Sequence, residues 1–110
     1  MLIKVLDETG TPQSMIVNGQ EALVDSSGTI ATTNTSQIGV SANAYRTGFF
    51  FQNLGSHNMW VNELGNATEV AGSVLIAPGQ SISAPYNYPV SVGAINVIGT
   101  SGDGYTIRTW

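Results

Sequence analysis

Arg46-Thr-Gly-Phe-Phe-Phe-Gln-Asn53, Met59-Trp-Val-Asn-Glu-Leu64, Ser73-Val-Leu-Ile-Ala-Pro-Gly-Gln-Ser-Ile-Ser-Ala-Pro85, Ile95-Asn-Val-Ile-Gly-Thr-Ser-Gly-Asp-Gly104 and Tyr105-Thr-Ile-Arg-Thr-Trp110 are short apolar or alternating runs parted by Gly, Pro, Asn, Asp and Ser clusters. That spacing is typical of an all-β sandwich. Three successive phenylalanines, Phe49 to Phe51, suit a strand covered on both faces, and Met59-Trp60-Val61 suits its returning partner with Trp60 in the core. Pro78-Gly79 fits the central positions of a type II turn. In the last run Tyr105, Ile107 and Thr109 share one face by alternation, with Trp110 on the other.

Upstream of this cassette, Thr29 to Thr33 is β-prone through its branched residues, and Ile38, Val40 and Ala42 alternate onto one face. Val90, Val92 and Ala94 lead into a buried strand ending at Gly99. No helical period of useful length occurs. The expected fold is all-β: a single antiparallel β-sandwich, jelly-roll-like or Ig-like, of about eight short strands over 28–110. Residues 1–27 read as a separate N-terminal arm or hairpin. There Leu2 to Leu6 is a strand candidate ending at the turn signal Asp7-Glu-Thr-Gly-Thr-Pro12, and Met15–Val17 and Ala22–Val24 flank Asn18-Gly19, a strong hairpin signal.

The 110 residues make one domain; 42% are hydrophobic and only 9% charged. Asn, Gln, Ser and Thr supply about a third of the chain. A surface of hydroxyls and amides lacks the solubility that dense charge gives a free monomer, so part of it is expected to be covered in an assembly. With a net charge of −4 and three cations, Lys4, Arg46 and Arg108, few phosphates can be neutralised, and nucleic acid and anionic membrane are poor partners. The absence of cysteine excludes a disulfide frame and thiolate metal sites. The opening Met1-Leu-Ile-Lys-Val-Leu-Asp7 is too soon interrupted by charge for a signal peptide, which predicts synthesis in a cytoplasm.

Catalytic vocabulary is sparse. His57 lies in the turn Gly55-Ser-His-Asn58, and a nucleophilic triad would need it oriented by an acid and beside a serine; a turn histidine is the expected role. Glu63 and Glu69 flank one loop and Asp103 lies in another, so no acid–base pair is evident. Asp103 between two glycines could ligate calcium only with a second acid nearby. Gly99-Thr-Ser-Gly-Asp-Gly104 lacks the lysine and helix of a phosphate loop and reads as a hairpin turn. No catalytic residue, metal or cofactor is expected.

Arg46 with Phe50-Phe51-Gln52-Asn53, Trp60-Val61-Asn62, Leu75-Ile76-Ala77-Pro78-Gly79-Gln80-Ser81, Ile95-Asn-Val-Ile-Gly-Thr100 and Tyr105-Thr-Ile107 resemble small tailed-bacteriophage virion proteins of the decoration, cement or head-fibre kind, over 28–110. The resemblance implies a non-enzymatic protein on the virion surface, bound to the major capsid protein and to itself as a homo-oligomer, often a trimer. Leu2, Ile3, Val5, Met15 and Ile16 of the arm are candidate interface residues. Tyr86 and Tyr88, between Pro85 and Pro89, form a stiff aromatic knuckle suited to a contact, and Trp110 joins them. The alternative is a module of a virion fibre or tail whose aromatics bind a host glycan. A hydrolase fragment ranks last.

Overall fold

A computed structural model describes residues 2–6, 12–16, 23–86 and 89–110, the first two ranges by their backbone. β1 (Leu2–Leu6) and β2 (Pro12–Ile16) pair antiparallel as a two-stranded sheet of their own. Then come β3 (Val24–Asp25), β4 (Gly28–Thr29), β5 (Gln37–Val40), β6 (Phe49–Asn53), β7 (Met59–Asn62), β8 (Val74–Ile76), β9 (Ser81–Ala84), β10 (Ile95–Ile98) and β11 (Gly104–Thr109). From Gly28 onward that is eight strands, as the turn spacing predicts. One sheet runs β5-β10-β7-β8; the other runs β3-β11-β6-β9, with β4 also on β11. β3 and β4 are thus two pieces of one edge.

The pairing is nested. β4 meets β11, β5 meets β10, β6 meets β9 and β7 meets β8. One long hairpin has been folded over so that its strand pairs alternate between two sheets, which is the jelly roll rather than the Ig-like order. Its register is nearly constant. Val24 pairs with Thr109 and Phe49 with Ala84, so equal lengths of chain separate the two positions on each arm.

The core forms where strands from both sheets turn alternate residues inward. β6 supplies Phe49 and Phe51, β7 Met59 and Val61, β10 Ile95 and Val97, and β11 Tyr105 and Ile107, all buried. Phe51 and Tyr105 stack with ring centroids 5.6 Å apart, an offset aromatic pairing. Thr109 faces inward with them and is also buried, as alternation predicts. Ala77 accepts from the Gln80 amide at 2.9 Å, and Gly79 has φ 79°; this is the expected type II turn.

Six expectations are corrected. β7 is not the partner of β6, since β6 lies between β11 and β9 in one sheet and β7 between β10 and β8 in the other. Residues 99–104 link β10 to β11 across the two sheets and do not close a hairpin. β6 alternates, so Phe50 lies half-buried on the outer face and the phenylalanine run is not covered on both sides. Trp60 likewise lies outward, between the buried Met59 and Val61. Residues 90–94 form no strand, and Val92 is exposed. Ile38 and Val40 do not share a face: Asn96 pairs with Ile38 but Ile95 pairs with Val40, leaving Gly39 as an extra residue. This bulge turns Ile38 out, 63% exposed, while Val40 packs on the core. At the N-terminus β2 pairs with β1 and Val24 pairs with Thr109. The expected Asn18-Gly19 turn lies outside the described residues.

Gly39 is demanded by this geometry. A Cβ there would sit 2.6 Å from Ile107 Cδ1 and 3.3 Å from the Ile95 carbonyl oxygen. Gly39→Val is therefore expected to destabilise the sandwich by about 1–3 kcal/mol, lowering the thermal midpoint by about 4–8 °C per kcal/mol. Ile38→Thr on the exposed side of the bulge should leave that midpoint nearly unchanged. Thermal denaturation of the two variants checks both.

Candidate functional site

β3 with β4 and β5 are edge strands of the two sheets on one side of the sandwich. Gln37 closes one end of this side. Its Nε2 donates to the Thr29 carbonyl at 2.9 Å and the Tyr105 hydroxyl at 3.3 Å, and its Oε1 accepts from the Ala31 amide at 2.8 Å. Further along, the edges part and leave an open cavity of about 580 Å³. Val24 and Ser26 line it from one sheet, Gly39, Val40 and Ser41 from the other, the loop 42–46 caps it, and Thr109 lies in its wall.

Arg46 is the chemically distinctive residue of that wall, with only 3% of its surface exposed. Its Nη1 donates to the carbonyls of Ser91 at 3.0 Å and Gly93 at 2.7 Å, and its Nη2 to that of Ser41 at 2.7 Å. The guanidinium thus straps the β5–β6 loop to the segment before β10. Asn43 shapes the approach: its side chain accepts from the Tyr45 amide, its carbonyl from the Arg46 amide, and its own amide donates to Val92. No carboxylate touches the guanidinium among the described contacts. Nε is sealed from solvent and has no acceptor. Burial pushes the Arg46 pKa below its ordinary value, and an unmet buried N–H costs about 1–3 kcal/mol.

The sequence offered little signal of this. Arg46 entered only as the start of a motif, and the hint available was a rare cation placed directly before the densest aromatic run.

Ser56, His57 and Asp103 do come together. His57 Nδ1 lies 2.9 Å from Asp103 Oδ2 and 3.3 Å from Ser56 Oγ, and the His57 amide donates to the same carboxylate at 3.2 Å. A triad needs the acid on one ring nitrogen and the nucleophile on the other. Here both meet Nδ1, so no proton relay from Ser56 to Asp103 is formed. The trio fastens the β6–β7 turn to the β10–β11 turn. Buried Asn53 braces the same corner through Nδ2 to the carbonyls of His57 at 2.7 Å and Ile76 at 2.9 Å. Among the described residues no group of three His, Cys, Asp or Glu side chains could hold a metal ion.

Of the candidate interface residues, Leu2, Ile3 and Val5 lie in β1 and Met15 and Ile16 in β2, where the backbone alone is described; Tyr88 lies outside the described residues. Tyr86 is 89% exposed. Trp110 is half-buried with its indole directly over Gly48, and its carbonyl accepts from the amides of Thr47 at 2.6 Å and Gly48 at 3.0 Å.

The outer faces of the two sheets differ. On the five-stranded sheet Gln52 pairs with Thr106 and Ser81, and Phe50 with Arg108 and Ser83, a mostly polar surface. On the four-stranded sheet Trp60 pairs with Leu75 and Ile98, and Ile38 sits on the neighbouring rung. Leu75 is 51% and Ile38 63% exposed and Trp60 half-buried, while Ile98 between Ile38 and Trp60 is buried.

No family model matches the chain, and no curated protein matches it in sequence. Among solved structures it is similar to a chain from Bacillus endospore appendages, described as a novel family of disulfide-linked pili, at 19% identity and a TM-score of 0.40, covering 90% of this chain and 95% of that one.

Asp25, between the cavity-lining Val24 and Ser26, is a titrating group. Ser27 donates its hydroxyl and its amide to Asp25 Oδ1, and its oxygen accepts from the Ile107 amide at 3.2 Å. The Ser27 hydroxyl, then its amide, and more weakly Arg108 hold the Asp25 pKa below its ordinary value. A carboxyl so lowered stabilises the fold above its unfolded pKa, about 3.9, and loses that contribution as pH falls through the folded value. Ser27→Ala should raise the Asp25 pKa in an NMR titration. The gap in thermal midpoint between variant and wild type should be widest at pH 5–7 (roughly, from that pKa) and narrow below about pH 4.

Proposed function

We propose that the protein is a non-enzymatic structural subunit that acts by assembling, and that its assembly is a bacteriophage virion, where it decorates and stabilises the capsid as a homo-oligomer, a trimer in the simplest arrangement. The observation that carries this reading is the contrast between the two outer faces. The five-stranded sheet is dressed in hydroxyls, amides and an Asp25–Arg108 cross-strand pair, while the four-stranded sheet presents Ile38, Leu75 and the half-buried Trp60 on its outer face, with Ile98 buried between them. An outer face made for water alternates to polar residues; contiguous exposed apolar surface marks an interaction site. Many copies of one modest interface, multiplied by symmetry, hold a shell firmly.

The hairpin β1–β2 supports the same reading, because it pairs with no other strand of the described chain. An isolated two-stranded hairpin is marginal in water and gains what it lacks by docking on a neighbour or on the shell. The motif resemblance to virion proteins directs the choice of shell. Partners are then the major capsid protein and further copies of this chain, on a virion built in the host cytoplasm.

Trp60→Ser combined with Leu75→Glu changes outward residues only and should leave the melting curve close to wild type. It should abolish attachment to empty capsids and reduce the native mass. Undiminished attachment overturns the proposal. A second reading, host-glycan binding, rests on Tyr86, 89% exposed beside Pro85. It expects glycan-array signal that disappears in Tyr86→Ala, and silence of the wild-type protein across the array excludes it.

A further inference from the structure

We propose that the protein assembles with itself by strand exchange: the hairpin β1–β2 of one copy adds β1 to the free edge of β5 in another copy and closes the cavity between β5 and β3. The inference deepens the reading of the chain as a self-assembling subunit, and it rests on that part of the reading alone. β5 and β3 end their sheets on the same side of the sandwich, and each pairs along one edge only among the described residues. Where those edges part, the open cavity of about 580 Å³ lies between them. An edge strand offers its unpaired backbone donors and acceptors to an incoming strand. A strand laid on β5 would turn alternate side chains into the gap between the sheets, towards Val24, Val40 and Thr109.

The wall suits an uncharged strand face. Val24, Gly39, Val40, Ala42 and Ala44 supply its apolar part, and Val24 is left 42% exposed although it stands in a strand. Arg46, the one charged residue lining the cavity, is itself buried and tied to three carbonyls. The hairpin has a matching face. Its register sets Ile3 opposite Met15 and Val5 opposite Gln13, so these four residues share one side of the pair, and none is charged. Lys4, the one charged residue of the two strands, falls on the other side with Leu2, Leu6 and Ile16.

The chain also delivers the hairpin to this place. It enters the sandwich at Val24, in the cavity wall, and residues 17–23 between Ile16 and Val24 can span on the order of 25 Å when extended. Copies set side by side along this edge can therefore exchange hairpins. Within one chain β1 and β2 pair only with each other, which leaves both the hairpin, marginal by itself, and the β5 edge for a neighbour.

The chain has no cysteine, so introduced thiols report the contact directly, since a disulfide needs close approach. Full-length Val5→Cys protein labelled with 15N is mixed with unlabelled Ala42→Cys protein under a mild oxidant, and linked dimers are weighed by mass spectrometry. A dimer of one labelled and one unlabelled chain is expected. It should be lost when the unlabelled copy also carries Val24→Lys, a change at a partly exposed edge position whose melting curve should stay close to wild type. It should not form with Ser81→Cys, exposed on the β9 edge at the other side of the sandwich. In a chain bearing both Val5→Cys and Ala42→Cys the bond should join two chains. No mixed dimer, one formed equally with Ser81→Cys, one retained with Val24→Lys, or a bond closed within a single chain overturns the proposal. The mixture holds no capsid, so failure to attach to capsids leaves the exchange standing, and failure of the cross-link leaves capsid attachment to its own test.

Discussion

Side chains on a strand alternate between faces, so a slip of one residue in pairing would turn the whole buried set of that strand towards solvent. This sandwich is one long hairpin wrapped over itself, and it works only because register is kept along nearly its full length. Val24 against Thr109 and Phe49 against Ala84 lie on the same register. One slip is built in deliberately, at Gly39, where the extra residue has no side chain to accommodate and the core side chain of Ile107 closes over it. The rest of the core inherits its order from that pairing: Phe49, Phe51, Tyr105 and Ile107 face inward because their partners do.

A chain with so few charges places the ones it has with consequence. Arg46 stands where two loops that each cross between the sheets converge, and ties them through carbonyl oxygens rather than through a carboxylate. Asp103 is turned to His57, and Asp25 to Ser27. The turns of the sandwich are thus fastened at its corners by small sets of polar contacts around single side chains. The arrangement leaves Arg46 incompletely satisfied beside a cavity, which is unusual in an interior where buried polar groups normally find partners.

The two outer faces give the molecule a direction. Hydroxyls and amides cover one sheet, and the other turns out Ile38, Leu75 and the half-buried Trp60. Among the described residues the hairpin β1–β2 pairs with no other strand.

Composition and turn spacing by themselves determined the class of fold, the strands from Gly28 onward and the inward set Tyr105, Ile107 and Thr109, because alternation and Gly/Pro punctuation are local properties written into the chain. They also show a single histidine and no cysteine. What they could not carry is anything that depends on which strand lies beside which. Trp60 and Phe50 look like core from their neighbours in sequence, yet each sits at an outward position of a strand whose alternate residues fill the core. Ile38 and Val40 look alike until the bulge at Gly39 separates them. The meeting of Ser56, His57 and Asp103, and the enclosure of Arg46 by carbonyls from Ser41, Ser91 and Gly93, exist only after the hairpin has wrapped. The tertiary structure decided these, since long-range pairing, not local propensity, sets which face each residue turns to the interior and which distant carbonyls close around a single cation.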